Sequence, residues 1–129
     1  MVWEPSEEEI CAVLKLEGAE RYSYFIKKIA DQEQLWSLWQ DGWALAADDN
    51  GQQLVPVWPH ESYATLCARD KWAGYTPKVI ELDAWLERWT PGIKRDGRML
   101  AVFPSPSNRG VAVEVGKLAD DLSEELTNY

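Results

Sequence analysis

The sequence predicts an α+β fold, in which a mixed or antiparallel sheet of roughly five or six strands has helices packed on it. Three observations lead to this prediction. The chain has 129 residues, 46% of them apolar, which suffices for one hydrophobic core. Apolar side chains recur at helical spacing near both ends, and short apolar runs with Asp-Gly and Asn-Gly turns fill the middle. The predicted order is ααβββαβαββα within a single domain of residues 1–129.

The first 31 residues are predicted to form a helical hairpin, and the sheet with its packing helices occupies residues 35–129. Ser6 followed by Glu9 is a capping box, which marks the start of a first helix. That helix is expected to run to about Glu17 and to stop at Gly18. A second helix begins near Ala19 and carries one apolar face, made of Tyr22, Phe25, Ile26 and Ile29.

The next predicted elements are strands. Apolar runs at residues 35–40 and 43–47 flank Asp41-Gly42, a pair typical of a two-residue hairpin. A helix over residues 32–40 is the competing interpretation, because apolar side chains there also fit a 3.6-residue period. We prefer the strand because Asp-Gly turn chemistry follows it directly. Residues 53–58 form the third predicted strand.

The second half of the chain alternates between the two kinds of element. Its predicted parts are a helix from His60 to about Lys71, a strand at 78–82, a short helix capped by Asp83 and ended by Pro91-Gly92, strands at 98–103 and 110–115, and a last helix at 116–126.

The charge of the chain bears on its partners and its location. The chain has 13 Lys and Arg residues and 22 Asp and Glu residues, which gives a net charge of −9, and no basic face is evident. A nucleic-acid backbone would be repelled, whereas a basic or neutral protein partner is compatible with this charge. The acidic start of the chain is unlike a signal peptide, and no apolar stretch reaches membrane-spanning length. We therefore expect a cytoplasmic protein that does not enter membranes.

The residues needed for metal, cofactor or nucleophilic chemistry are scarce. There is one histidine, and Cys11 and Cys67 are too far apart for a zinc site, so both are predicted to be reduced core residues. The eight glycines form no phosphate-binding loop, and we expect no metal and no cofactor. His60 and Ser62 would point apart if both lay on a helix. A carboxylate pair acting with His60 stays open, since 22 acidic residues offer many pairings.

Two segments are candidate binding surfaces. Trp58, His60, Trp72 and Tyr75 surround a strand-to-helix corner and are candidates for an aromatic rim around a shallow groove. In the structural alternative, which we prefer, the two tryptophans fasten the helix to the sheet, Trp72 stays partly exposed, and His60 caps the helix. The turn at residues 104–109, flanked by Arg98 and Arg109, is the second candidate. A stiff hairpin connection is its preferred interpretation.

Several motifs, taken in order, resemble the DUF2750 family of bacterial proteins of unknown function. They run from the second helix to the strand before the last helix: Phe25-Ile26-Lys27-Lys28, Leu35-Trp36-Ser37-Leu38, Gly42-Trp43-Ala44, Leu54-Val55-Pro56-Val57-Trp58-Pro59-His60, Trp72-Ala73-Gly74-Tyr75, Ile80-Glu81-Leu82, Val102-Phe103-Pro104 and Gly110-Val111-Ala112-Val113. The resemblance implies a compact α+β domain and supplies no activity. The chain is more loosely similar to the amino-terminal domain of secretion-enhancer (SseB-like) proteins, which favours protein binding over catalysis.

The function expected from the sequence is therefore a non-catalytic protein- or ligand-binding module. Two alternatives come from other classes. One is a small hydrolase or transferase that uses a carboxylate pair with His60. The other is a structural subunit that forms a homo-oligomer through its sheet edge or its terminal helix. An enzyme requires a deep pocket with converging titratable groups, and a binding module requires an exposed aromatic patch of roughly several hundred Å².

Overall fold

The structure, a computed structural model, describes residues 3–128 and has the predicted α+β class. Its helices are α1 (Glu7–Leu14), α2 (Gly18–Gln32), α3 (Glu61–Cys67), α4 (Leu82–Ala84), α5 (Thr90–Arg95) and α6 (Val115–Leu126). Its strands are β1 (Gln34–Trp39), β2 (Ala46–Ala47), β3 (Gln53–Val57), β4 (Thr76–Glu81), β5 (Met99–Val102) and β6 (Val111–Val113). A 3₁₀ turn spans Asp70–Trp72, and a π-helical turn spans Trp85–Trp89.

The strands form two sheets rather than the single predicted sheet, so the strand count and order differ in detail. β1 pairs with β4 in an antiparallel two-stranded sheet, and the second sheet has the order β2-β3-β5-β6 with β3 and β5 parallel. The two sheets meet at one bridge, where Trp36 and Trp58 exchange backbone hydrogen bonds of 2.9 and 2.8 Å.

Pro56 explains why the sheets do not merge. It lies in β3 and has no N–H to donate toward the strand beside it. Its carbonyl accepts a hydrogen bond from the Ser37 hydroxyl at 2.7 Å instead of from a backbone amide. The ladder on this side of β3 is therefore interrupted between Leu54, which pairs with β2, and Trp58, which pairs with β1.

The Asp41-Gly42 turn forms, but its two arms do not become a hairpin of paired strands. Trp39 and Trp43 form a bridge across the turn, and the Ala44 amide donates to the Leu38 carbonyl at 2.9 Å. Beyond this point the chain leaves β1, and only residues 46–47 form a strand, which pairs with β3. All six residues of β1 pair with β4 instead, a long-range partner that local turn chemistry does not reveal.

Two helix boundaries also differ from prediction. α1 ends at Leu14, and Gly18 begins α2 rather than ending α1, because Glu17 has an extended backbone (φ −72°, ψ 164°) and is the N-cap residue of α2. The helical segment 82–95 continues through Pro91-Gly92, which were expected to end it. A π-helical turn precedes Pro91, and Pro91 then occupies the first turn of α5, where a missing N–H leaves no bond unmade.

The four-stranded sheet has two chemically different faces. One face belongs to the hydrophobic core and carries Val55, Val57, Leu100, Val102 and Val113. The other face carries Leu54 and Ala101, which are buried without belonging to that core, and the small side chains of Ala46 and Ala112. Small residues leave space above this second face, and that space is where the site lies.

The two cysteines differ in their exposure to solvent. Cys67 is buried in the core as predicted, whereas Cys11 is exposed, because α1 turns only Val13 fully inward. Neither takes part in a disulfide. Among the described residues, no helix combines the length and the apolar character needed to cross a membrane.

Candidate functional site

The rings predicted to form an aromatic rim lie mostly in the interior. Trp58 is fully buried, and its Nε1 donates to the Pro104 carbonyl at 2.8 Å. Trp72 is 7% exposed, less than expected, because its ring packs edge-on against Trp58 with centroids 5.9 Å apart. Tyr75 is half-buried. Trp58 and Trp72 fasten the segment around α3 to the sheet, as in the structural alternative, and the four residues do not form an exposed aromatic rim.

His60 caps α3. Its backbone is extended, with φ −154° and ψ 153°, so the residue lies outside the helix and the expectation that it points away from Ser62 is wrong. Nδ1 accepts the Ser62 amide at 3.1 Å, with the Ser62 hydroxyl at the same distance. Because the single Nδ1 lone pair is taken by the amide, it is a poor base for that hydroxyl. Burial lowers the His60 pKa, which keeps the ring neutral at pH 7.

A cleft of about 630 Å³ opens above the alanine-bearing face of the four-stranded sheet, and we call it the main cleft. Its floor is made of Ala46, Leu54, Ala101 and Ala112. One wall is the corner at residues 67 and 69–72 after α3, and the other is the loop at residues 104–110. The cleft thus lies between two connections that stand on a rigid sheet, an arrangement common in ligand sites.

The first wall is shaped by the end of α3. The predicted helix to Lys71 stops at Cys67, because Ala68 has ψ 60° and Arg69 is extended (φ −146°, ψ 171°), and neither backbone continues an α-helix. The 3₁₀ turn that follows brings Arg69 and Lys71 to the cleft and returns Trp72 to the interior. The Lys71 ammonium lies 4.7 Å from the centroid of the Trp72 ring.

The second wall is a stiff loop. Phe103 has φ +56°, which is strained for a bulky residue, and is fully buried. A Cβ at Gly110 would lie 2.7 Å from the Val102 carbonyl oxygen, so only glycine fits there. Ser105 and Asn108 close the loop with backbone hydrogen bonds of 2.9 and 3.1 Å. The predicted stiff connection is therefore also a cleft wall.

Arg21 lies behind this second wall and was not singled out by sequence reasoning. It is 3% exposed, and its Nη2 donates to Asn108 Oδ1 at 2.9 Å. The guanidinium carbon is 5.8 Å from the centroid of the Phe103 ring. Its Nε has no hydrogen-bond partner, and no carboxylate of the described residues lies within ion-pair distance. Burial lowers its pKa from the ordinary value. Its position four residues before Phe25, on the buried face of α2, was the available signal.

The rim of the main cleft carries charges of both signs. Arg69, Lys71 and Arg109 are the cations, and Asp48 and Asp70 are the carboxylates. Arg109 pairs with Asp49 at 3.0 Å, but both side chains are more than three-quarters exposed, so this pair is weak. One oxygen of Asp48 accepts the backbone amides of its own turn, at residues 50 and 52.

Arg98 does not join this site. It lines a second, more open cleft of about 450 Å³ together with Trp43 and Trp89. Its guanidinium is engaged by Gln53 at 2.9 Å and Asp96 at 3.1 Å. The two arginines predicted to flank one binding loop therefore belong to different clefts. Of the six candidate residues, Trp72 and Arg109 reach the main cleft.

Comparison with known proteins adds a family and no activity. The sequence model of the DUF2750 family, described as a protein of unknown function, matches residues 22–122. No curated protein sequence matches the chain. No solved structure matches it either.

Proposed function

Because the chain belongs to the DUF2750 family, whose function is unknown, we propose a function from its geometry: a non-catalytic binding module that takes its ligand in the main cleft. The observation that carries this proposal is the face of the four-stranded sheet that the core does not use. Leu54 and Ala101 are buried there without belonging to the core, and Ala46 and Ala112 leave open space above them. A volume of about 630 Å³ lies within the usual range for small-molecule sites.

The stiffness of the walls supports binding. The Pro104 carbonyl accepts hydrogen bonds from Trp58 Nε1 at 2.8 Å and from the Cys67 thiol at 3.4 Å, which ties the loop to the corner after α3. A cleft held open in this way loses little conformational entropy when a ligand enters.

The chemistry at the cleft favours binding over catalysis. Burial raises the pKa of the Cys67 thiol to about 11, so at pH 7 the thiol is protonated and a weak nucleophile. His60 does not line the main cleft, so the hydrolase alternative loses the base that it required. A basic or neutral protein partner, a cytoplasmic location and the SseB-like similarity stay predictions of the sequence.

The test is to fill the cleft. Ala112 is exposed on β6 and lines the floor, so Ala112→Trp should fill the cleft while leaving the core face of the strand unchanged. Ala12→Trp, on the exposed side of α1, is the matched control. A library of charged and uncharged aromatic fragments would be screened by NMR. We expect shifts at the Trp72 indole and at the Ser105 and Gly110 amides, lost in Ala112→Trp and retained in the control.

Two outcomes would contradict the proposed binding site. Fragments that leave these three signals unmoved, or that bind equally well to Ala112→Trp, would show that the main cleft is not the binding site.

A further inference from the structure

We infer that the main cleft takes a small organic anion, a molecule with a carboxylate or phosphate head and an apolar body, and that Asn108, polarised by the buried Arg21 behind it, binds the head. The inference rests on the proposed function and names the ligand class of that same cleft. It is based on a buried positive charge that no carboxylate of the described residues compensates.

Arg21 is that charge. A guanidinium has five N–H donors, and the guanidinium of Arg21 makes one hydrogen bond, to Asn108, among the described residues. Buried cations are normally paired with a carboxylate, because leaving one unpaired in a low-dielectric interior is costly. Within residues 3–128 no carboxylate approaches Arg21 to ion-pair distance. A bound anion on the far side of Asn108 would supply the missing negative charge.

Asn108 links the positive charge of Arg21 to the cleft. Its Oδ1 accepts from Arg21 Nη2 at 2.9 Å and from the Gly110 amide at 2.8 Å. Both neighbours are donors, so the oxygen must face them and the orientation of the amide is fixed. Asn108 is exposed and lines the cleft, so its Nδ2 group, which has no acceptor among the described residues, is open to solvent or to a ligand. A fixed N–H donor polarised by a cation behind it is a suitable contact for a carboxylate or phosphate oxygen.

The charged side chains at the rim also favour an anionic ligand. In a chain with a net charge of −9, three cations line this one cleft. Arg69 and Lys71 make no ion pair within the described residues, and the pair made by Arg109 is exposed and weak. Of the two carboxylates at the cleft, Asp48 already accepts two backbone amides. These rim cations can steer an anion toward Asn108.

The floor defines the rest of the ligand. Alanine and leucine side chains offer no hydrogen bonds, so the body that lies on them must be apolar. The volume suits a small molecule, and a bare inorganic ion would leave most of it unfilled.

The test uses probes matched in shape. Benzoate and benzamide differ mainly in charge, and phenyl phosphate presents the other head group. Binding to the full chain would be measured by NMR titration in a low-salt buffer without phosphate. We expect benzoate or phenyl phosphate to bind at least about tenfold more tightly than benzamide, the difference that one charge-assisted hydrogen bond provides. The Asn108 side-chain signal should move.

Asn108→Asp is the decisive variant, and Asn128→Asp, an exposed site near the end of the chain, is its charge-matched control. The new carboxylate should pair with Arg21, raise the melting temperature, and abolish the preference for anions. The control should keep that preference.

Three results would overturn the inference. One is benzamide binding as tightly as benzoate, which would leave the cleft a binding site for uncharged ligands and so spare the proposed function. Another is an anion preference that survives Asn108→Asp. If neither anion binds at millimolar concentration while uncharged fragments still shift the Trp72 signal, the inference also fails on its own.

Discussion

At the scale of single residues, the Pro104 carbonyl joins three parts of the protein. It accepts the Trp58 indole N–H, which comes from the end of β3, and the Cys67 thiol, which comes from the end of α3. The neighbouring Phe103 holds a left-handed backbone that a bulky side chain rarely adopts. Such strain persists only where the surroundings enforce it, and here packing of Phe103 against Tyr63, with centroids 4.8 Å apart, contributes to that enforcement.

Trp58 tests this junction. Trp58→Ala should lower the free energy of unfolding by about 3–5 kcal/mol, because a fully buried indole would be replaced by a cavity. Trp58→Phe should cost about 1–3 kcal/mol, since it keeps an aromatic ring but removes the donor to Pro104. Urea unfolding followed by circular dichroism gives both values. A loss below about 0.5 kcal/mol for Trp58→Ala would contradict the buried position.

His60 should make stability depend on pH. Burial lowers its pKa in the folded protein below the value of 6.5 expected in the unfolded chain. Above pH 6.5 both states hold a neutral ring, and the stabilisation is complete. As the pH falls through 6.5, the unfolded chain takes up a proton that the folded protein resists, so stability is lost. Urea unfolding near pH 7.5 and pH 5.5 should show a smaller loss for His60→Gln than for the natural chain. An identical loss in both would mean that His60 titrates normally.

Some residue roles could be predicted from the sequence and others could not. The Ser6 cap is confirmed by its 3.1 Å hydrogen bond from the Glu9 amide, because capping depends on neighbouring residues alone. Arg21 could not be assigned in the same way. Its role depends on Asn108, 87 positions away, and on the absence of a nearby carboxylate within the described residues. Neither the contact with Asn108 nor the lack of a carboxylate can be predicted from the residues next to Arg21 in the sequence.

At the scale of elements, interruptions of regular structure decide what reaches the main cleft. The non-helical backbone of Ala68 and Arg69 ends α3, and the left-handed Asp70 begins the 3₁₀ turn that places Arg69 and Lys71 at the rim. The sequence indicated a helix there but not its break, because no glycine or proline marks the end of α3. The turn chemistry of Asp41-Gly42 was correctly recognised, whereas the pairing of β1 with β4 depends on a strand 37 or more positions away.

The two cysteines report on the helices that carry them. Cys67 lies on the buried face of α3, and burial raises its pKa to about 11, so the thiol should react very slowly with an aromatic disulfide reagent. Cys11 is exposed on α1 and should react quickly. We expect one fast thiol in the native protein and two in denaturant, with Cys11→Ser removing the fast one. Two fast thiols in native buffer would mean that α3 is misplaced or opens readily.

At the scale of the whole molecule, the two sheets are joined through few but buried contacts. Trp36 and Trp58 exchange backbone hydrogen bonds, and the buried Ser37 hydroxyl donates to the Pro56 carbonyl. The core spans both sheets, since Leu35 and Leu38 of β1 share one cluster with Val57 and Leu100. The α+β class followed from periodicity and turn residues. The division into two sheets had a visible cause in Pro56, whose missing N–H argues against an uninterrupted ladder.

A shared core predicts that both sheets unfold together, as expected of the single domain inferred from the sequence. Native-state hydrogen exchange tests this directly. The amides of Trp36, Ile80 and Leu100 should exchange with the same free energy, equal to that of global unfolding by urea, because no part of the core can open alone. Ser37→Ala removes a buried hydrogen bond at the junction and should lower all three values by the same amount, about 1–2 kcal/mol. If the amides of β1 and β4 exchanged together at a lower free energy than Leu100, the two sheets would be separate folding units, and the single-domain prediction would be wrong.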